Sequence, residues 1–270
     1  WSKRNSIKRI IMDEMNKLNL LLKFGEDKEY YSDNKYVTNS MLGLLNKSPQ
    51  HLLQYMQGAK QESKALDIGK AFHTMVLEPS KLDEDVVVFE GKTRRGKVWD
   101  EFSLENSDKT IISTSEWNMI NNMSNVLFEN KEAMSFINSS NHEVVEVWED
   151  LNLGVSCKGK ADMVINLYDN KKVLIDLKTT RDSSVEAFKR SAYNYGYDRQ
   201  AAFYLDGFDA DEFWFVVIEK ESPYRVGIYQ ASEEFISRGR DKNLNLLKSY
   251  KEYFINKDKD VHKFYFKGEL

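Results

Sequence analysis

Apolar residues recur at helical spacing over residues 7–23, at Ile7, Ile10, Ile11, Met15, Leu18 and Leu22, which predicts an amphipathic helix. Thr38 or Asn39 can cap a second helix through Leu42 and Leu45. Ser48-Pro49 ends it and starts another through Leu52, Leu53 and Met56, because proline suits the first helical turn. A further helix is predicted over 64–77, stopping before Pro79. A strand over 86–89, a polar basic loop over 91–97 and helices near 115–128 and 131–137 follow. The period then changes. Short apolar runs at 143–148, 155–158, 163–167 and 173–177 read as strands, separated by turn-rich pieces at 152–154 and 169–172. Ser183 or Ser184 can cap the next helix and another covers 198–205; residues 213–218 and 224–229 read as a hairpin, and 233–254 returns to helix. Helices on both sides of a block of strands predict an α/β (α+β) domain, a central mixed sheet flanked by helices.

Composition narrows this. The chain has 270 residues with a net charge of −4, from 39 Lys+Arg against 43 Asp+Glu. Three prolines, no Gly/Ser-rich linker and no internal repeat predict one domain over 1–270. Its parts are a helical N-terminal region (1–64), a core (65–230) and a C-terminal helix with a tail (231–270) whose last residues have no assignment. The single cysteine, Cys157, excludes an intrachain disulfide and a four-cysteine iron–sulfur cluster, and fits a packed strand residue in a reducing, cytoplasmic compartment. No apolar run approaches the ~20 residues of a membrane span, so no membrane partner is expected. No signal peptide is visible, and the chain starts at Trp1 instead of Met, which leaves its true N-terminus open. Mild acidity argues against a protein that coats nucleic acid but leaves room for a focused basic groove.

The densest chemistry lies in 158–180. A hairpin turning near Asn170, with paired positions summing to about 340, sets Asp162 opposite Lys178 and puts Asp176 on the same face. Two carboxylates can hold Mg²⁺, and a lysine beside them can orient a water and neutralise developing charge. Alone, an Asp-x-Lys triplet is common and reads better as an edge-strand ion pair. Elsewhere, Gly69 lies one helical turn before His73, leaving room for a strand or ion, and Gln200 and Tyr204 share a helix face. Residues 91–98 nearly match a nucleotide-binding loop, but Val98 replaces the hydroxyl that would hold Mg²⁺. Lys92, Arg94, Arg95 and Lys97 on that loop read as DNA phosphate contacts or as a solvated loop with equal weight. Lys158, Lys160, Lys189, Arg190 and Arg199 could add to a positive groove, though each alone is an ordinary surface charge. Tyr193, Tyr195, Tyr197, Phe203 and Tyr204 could stack on bases, though core packing explains most of them.

Taken in order, Gly69-x-x-x-His73, Gly159-x-x-Asp162, Asp176-x-Lys178-Thr179 and Gln200-x-x-x-Tyr204 resemble the PD-(D/E)xK nuclease superfamily, in its RecB-like branch. The likeness is closest to the C-terminal nuclease domain of RecE (exonuclease VIII) and related phage exonucleases, over about 38–207. The resemblance implies a restriction-endonuclease-like core and a Mg²⁺-dependent deoxyribonuclease, with Mn²⁺ expected to substitute. It implies that His73, Asp162, Asp176 and the Leu177 carbonyl ligate metal, that Lys178 activates the attacking water, and that Gln200 and Tyr204 position the scissile strand. A further acidic ligand is expected upstream. Glu143 and Glu146 are the candidates, three apart and therefore on opposite faces, with Glu143 preferred. Ala161 departs from the proline that many relatives carry before the aspartate. The branch further implies a processive 5′→3′ exonuclease on double-stranded DNA, a ring-shaped homo-oligomer and a RecT-like single-strand annealing partner. An endonuclease, a single-strand-specific nuclease or a non-catalytic DNA-binding accessory module are the alternatives.

Overall fold

The computed structural model describes residues 15, 17–25, 27–59 and 64–267. Its centre is a five-stranded sheet in the order β3-β4-β5-β6-β7. These strands are β3 (Asn141–Asp150), β4 (Val155–Asn166), β5 (Lys172–Thr180), β6 (Glu212–Glu219) and β7 (Val226–Gln230). All neighbours are antiparallel except β5 and β6. That parallel pair needs a crossover, supplied by helices α8 (Val185–Tyr195) and α9 (Tyr197–Phe208).

Helices cover both faces. On one, α4 (Lys64–Leu77), α6 (Thr114–Glu129) and α7 (Lys131–Ser139) bury Phe72, Met123 and Ile137 against Met163, Ile175 and Leu177. On the other, α8, α9 and α10 (Glu233–Tyr250) bury Phe188, Leu205 and Ile236 against Val164, Leu174 and Val217. Each buried side chain of this size contributes about 1.5–3 kcal/mol. Before the sheet come α1 (Asp27–Ser32), α2 (Asn39–Lys47) and α3 (Pro49–Met56). The α2–α3 junction is set by capping: Thr38 Oγ1 accepts from the Met41 amide at 3.2 Å, and Ser48 Oγ from the His51 amide at 3.3 Å, with Pro49 at the first helical position.

Several sequence expectations change. The runs 155–158 and 163–167 are one strand, β4, because Lys158–Ala161 continues the ladder to β3. The β4–β5 register sums to 338, as in Met163↔Ile175, and not 340. A shift of two keeps every side chain on its face, but it removes Lys178 from opposite Asp162. The elements that escaped the pattern include α1, α5 (Lys97–Glu105) and β2 (Thr110–Ser113), which pairs in parallel with β1 (Val86–Phe89). Of the first expected helix, Ile7, Ile10 and Ile11 lie outside the described residues, while Met15, Leu18 and Leu22 are exposed. Cys157 is buried in β4, as expected. No helix among the described residues is long and apolar enough to cross a membrane.

Candidate active site

β4 and β5 are hydrogen-bonded only over Met163–Asn166 and Lys172–Ile175. Past Met163 and Ile175 they part. β4 stays with β3, β5 stays with β6, and a cleft of about 870 Å³ opens near the fork. Asp162 and Asp176 are the first residues beyond the last paired rung. The backbone groups that a continuing ladder would have used are taken by side chains instead. The Leu177 amide donates to Asp162 Oδ2 at 2.8 Å, and His73 Nε2 meets the Leu177 carbonyl at 2.6 Å.

A second irregularity lies across from Asp162. The β3–β4 register keeps one sum on both sides of Glu143, from His142↔Met163 to Val144↔Ala161, so no residue is inserted, yet the Glu143 rung is missing. Glu143 has φ +52°, an expensive conformation for a residue with a side chain. Ala161 and Met163, two apart, pack on opposite faces of the sheet. The alternation is therefore reset at Asp162, which frees its carboxylate for the cleft.

The consequence is convergence. One ligand atom each from His73, Glu143 and Asp162 lies within 4.8 Å of the other two. His73 Nδ1 is 3.6 Å from Asp162 Oδ2, and Glu143 Oε2 is 2.8 Å from Lys160 Nζ. Glu146 turns away and pairs with Lys17 at 2.8 Å. Asp176 is 3% exposed. Its Oδ1 accepts from Gln200 Nε2 at 2.6 Å, and Lys178 Nζ stands 2.5 Å from Oδ2 without hydrogen-bond alignment. The Lys178 ammonium lies 5.0 Å from the centre of the Tyr197 ring.

Electrostatics match this picture. Burial, then the neighbouring Asp176, push the Asp162 carboxyl up to about 7. Burial works against the Lys178 charge, but Asp176 and Asp162 outweigh it and hold the ammonium above its ordinary value. Burial pushes the Tyr204 phenol well up, so it is a neutral donor at the cleft floor. The glycines of the motifs are explained as well. A Cβ on Gly159 would stand 2.7 Å from the Tyr204 ring, whereas one on Gly69 would meet nothing within 4 Å, although Gly69 lines the cleft.

The donor set fits a hard divalent cation. Two carboxylates, a backbone carbonyl and an imidazole converge, and one carboxyl is destabilised in its charged form by burial and by the neighbouring Asp176. His73, Glu143, Asp162 and Leu177 are the residues that would hold it, with Asp176 beside them. A bound cation would supply Lewis acidity toward a phosphodiester and a more acidic water.

Other predicted residues are placed differently. Arg94 is anchored within its own subdomain, at 2.6 Å from Glu116 Oε2 and 3.0 Å from the Ile111 carbonyl. Lys92, Arg95 and Lys97 are exposed and do not line the cleft. Lys158 and Arg199 are buried, not groove charges; Arg199 donates to the Asn39 carbonyl at 2.5 Å. Tyr30 and Tyr31, on the cleft wall, carried no motif and were missed.

A forked mixed sheet with an Asp, an Asp-x-Lys and a helical His and Gln around the fork defines a PD-(D/E)xK nuclease fold. The chain belongs to the PDDEXK-like domain family of unknown function DUF3799, whose profile matches residues 38–262. A solved structure from Eubacterium rectale, assigned provisionally as an exonuclease, is similar at a TM-score of 0.58 and 12% identity over 87% of this chain and 91% of that one. A phage-related exonuclease from Haemophilus somnus 129PT aligns at 15% identity over 83% and 96% of the two chains, with a TM-score of 0.36 that carries no argument. No curated protein matches significantly.

Proposed function

We propose that this chain is a Mg²⁺-dependent deoxyribonuclease of the RecE-like kind, a processive 5′→3′ exonuclease on double-stranded DNA. The observation that supports it best is the convergence of His73, Glu143 and Asp162 beside the Asp176–Lys178 pair on one cleft. In this reading Lys178, kept charged by Asp176, orients the attacking water and offsets charge developing on the phosphate. Gln200 holds the Asp176 carboxylate in place, and Tyr204 closes the floor. Mn²⁺ substitutes for Mg²⁺. Processivity comes from a ring of identical copies, and the 3′ overhangs pass to a RecT-like annealing protein in the cytoplasm. The exposed Lys92, Arg95 and Lys97 contact DNA phosphates outside the cleft.

The test is a time course on linear duplex DNA labelled separately at each end, with Mg²⁺ or EDTA. Mg²⁺-dependent release of the 5′ label as mononucleotide, with the 3′ label kept on long fragments, is the expected result. Internal cuts made equally on circular DNA would replace the exonuclease reading with an endonuclease. Binding without cleavage would leave an accessory module.

A further inference from the structure

Most lysines that line the cleft already have an oxygen partner. Lys158 Nζ donates to the Tyr30 carbonyl at 2.5 Å and the Asp33 carbonyl at 2.7 Å, Lys160 Nζ is 2.8 Å from Glu143, and Lys178 Nζ is 2.5 Å from Asp176. Lys70 is different: it is exposed and, among the described residues, has no hydrogen bond or ion pair. It precedes His73 by three residues on α4, so it shares the helix face that brings His73 to the cleft, and it lines that cleft with Gly69 and Thr179. Two contacts fix the direction of α4. The Leu77 carbonyl meets His142, whose rung runs through Met163 to Ile175, and His73 meets the Leu177 carbonyl. The helix therefore runs antiparallel to β5, and Lys70 lies toward the C-terminal end of that strand.

Two more unpaired cations stand at that end. Arg181 and Lys220 are the first residues past β5 and β6, whose last rung is Thr180↔Glu219, and the Lys220 amide still donates to the Thr180 carbonyl at 2.9 Å. Their backbones are thus about one strand spacing apart, ~4.8 Å. The chain sets an acid beside each, Asp182 after Arg181 and Glu219 before Lys220. Both acids turn instead to Arg225, whose Nη2 is 2.9 Å from Glu219 Oε1 and 3.6 Å from Asp182 Oδ1. Lys220 is half-buried, and burial, then Arg181, hold its ammonium below the ordinary value. Neighbouring like charges that the fold leaves uncompensated are destabilising, and an anion laid across them reverses that.

We propose that Lys70, Arg181 and Lys220 form a phosphate track, along which the backbone of the strand being cut runs from the carboxylates past Thr179 to the C-terminal ends of β5 and β6. The track rests on the cleft being a DNA site, as the nuclease reading has it, and adds a path for the strand. The carboxyl ends of neighbouring parallel strands are where an α/β sheet leaves room for a ligand. The three cations meet phosphates away from the reacting one, so they act on binding.

The experiment measures DNA affinity in Ca²⁺ over a range of salt concentrations, and cleavage in Mg²⁺. Each of Lys70→Gln, Arg181→Gln and Lys220→Gln should reduce the slope of log affinity against log salt by roughly 0.7–0.9. Each should raise KM several-fold and change kcat by less than about threefold. Joining Arg181→Gln to Lys220→Gln should reduce the slope about twice as far, and Lys220→Arg should keep it. Lys220→Gln should also raise the melting temperature of the DNA-free protein, because it separates like charges. Lys171→Gln, just before the other end of β5, should leave the slope unchanged. Wild-type cleavage with unchanged slopes in the three variants, or with an equal loss in Lys171→Gln, overturns the track alone. Slopes that fall as expected in a protein that binds DNA but never cuts it uphold the track and overturn the nuclease reading. A wild-type protein that neither binds nor cuts DNA overturns both.

Discussion

Asp198 and Asp162 are both enclosed aspartates, and they live under opposite regimes. Asp198 is fully buried at the start of α9, yet its Oδ2 accepts from Arg238 Nε and Lys242 Nζ, each at 2.7 Å, while its Oδ1 takes the Arg199 amide at 2.8 Å. Burial opposes its charge, but these partners hold the carboxyl below its ordinary value. Asp162 has one amide, an imidazole at 3.6 Å and a second carboxylate nearby, and its carboxyl is pushed up to about 7. Burial alone therefore marks no site. What separates the two is whether the chain supplies its own counter-charge. At Asp198 it does, and the result is a clamp between α9 and α10. At the fork the one close ammonium, Lys178, is closed onto Asp176 and does not offset the burial of Asp162, and the deficit is what a bound cation would fill.

Substituting each aspartate should give crossed outcomes. Asp162→Asn should lower cleavage by about three orders of magnitude or more, equivalent to over ~4 kcal/mol of transition-state stabilisation. In the metal-free protein it should raise the melting temperature, because it removes a charge the fold does not compensate. Asp198→Asn should cost about 2–3 kcal/mol in denaturant unfolding and leave kcat near the wild-type value. That is below the 3–5 kcal/mol of a fully buried broken pair, since Arg238 and Lys242 can turn to water. If Asp162→Asn destabilised and Asp198→Asn inactivated, the contrast between the two sites would be wrong.

Lys178→Met comes next in size. Its charge is maintained by Asp176 and Asp162, so removing it should lower kcat about a hundredfold and DNA affinity by only a few-fold. A loss confined to affinity would recast Lys178 as a phosphate contact.

Titration tests the same deficit without mutation. Below pH ~4, folded and unfolded chains both hold the Asp162 proton, and the group contributes nothing. Between ~4 and 7 the unfolded chain has released the proton that the native chain keeps, so metal-free stability should fall as pH rises, levelling above 7. The stabilisation given by added Mg²⁺ should grow through the same window, because binding requires the ionised carboxylate. Thermal melts from pH 4 to 8, with and without Mg²⁺, measure both slopes, and Asp162→Asn should flatten them.

The chemistry of the fork was legible in the sequence because it is local. Asp162, Asp176 and Lys178 are joined by one short hairpin, and a register error of two residues preserves faces. Glu143 over Glu146 was legible only as a preference: period-2 alternation separates the two, but the reset at Glu143, with its positive φ, is a tertiary effect. The surface charges were misread for a related reason. Lys158, Arg199 and Arg94 sit in polar or alternating stretches and look solvated, and only long-range partners (Tyr30, Asn39 and Glu116) reveal them as internal fasteners. α1 lacked a pattern altogether. Its placement depends on a lysine more than a hundred residues away, and the Tyr31 wall was invisible with it.

The smallest expected effect separates folding from function most sharply. Gly69 sits inside α4, one turn before His73, where glycine costs roughly 1 kcal/mol relative to alanine. Packing does not require it, since an added Cβ would touch nothing within 4 Å. Other glycines here are forced: a Cβ on Gly159 would press into Tyr204, and one on Gly239 would overlap the Asp198 backbone at 2.0 Å. The space above Gly69 belongs to the cleft, so the fold forgoes helix stability there without a packing reason. Gly69→Ala should therefore stabilise the protein by about 1 kcal/mol in denaturant unfolding while raising KM for DNA several-fold. A stabilised variant with unchanged KM would show that the scissile strand passes elsewhere in the cleft, away from α4 and toward Tyr31.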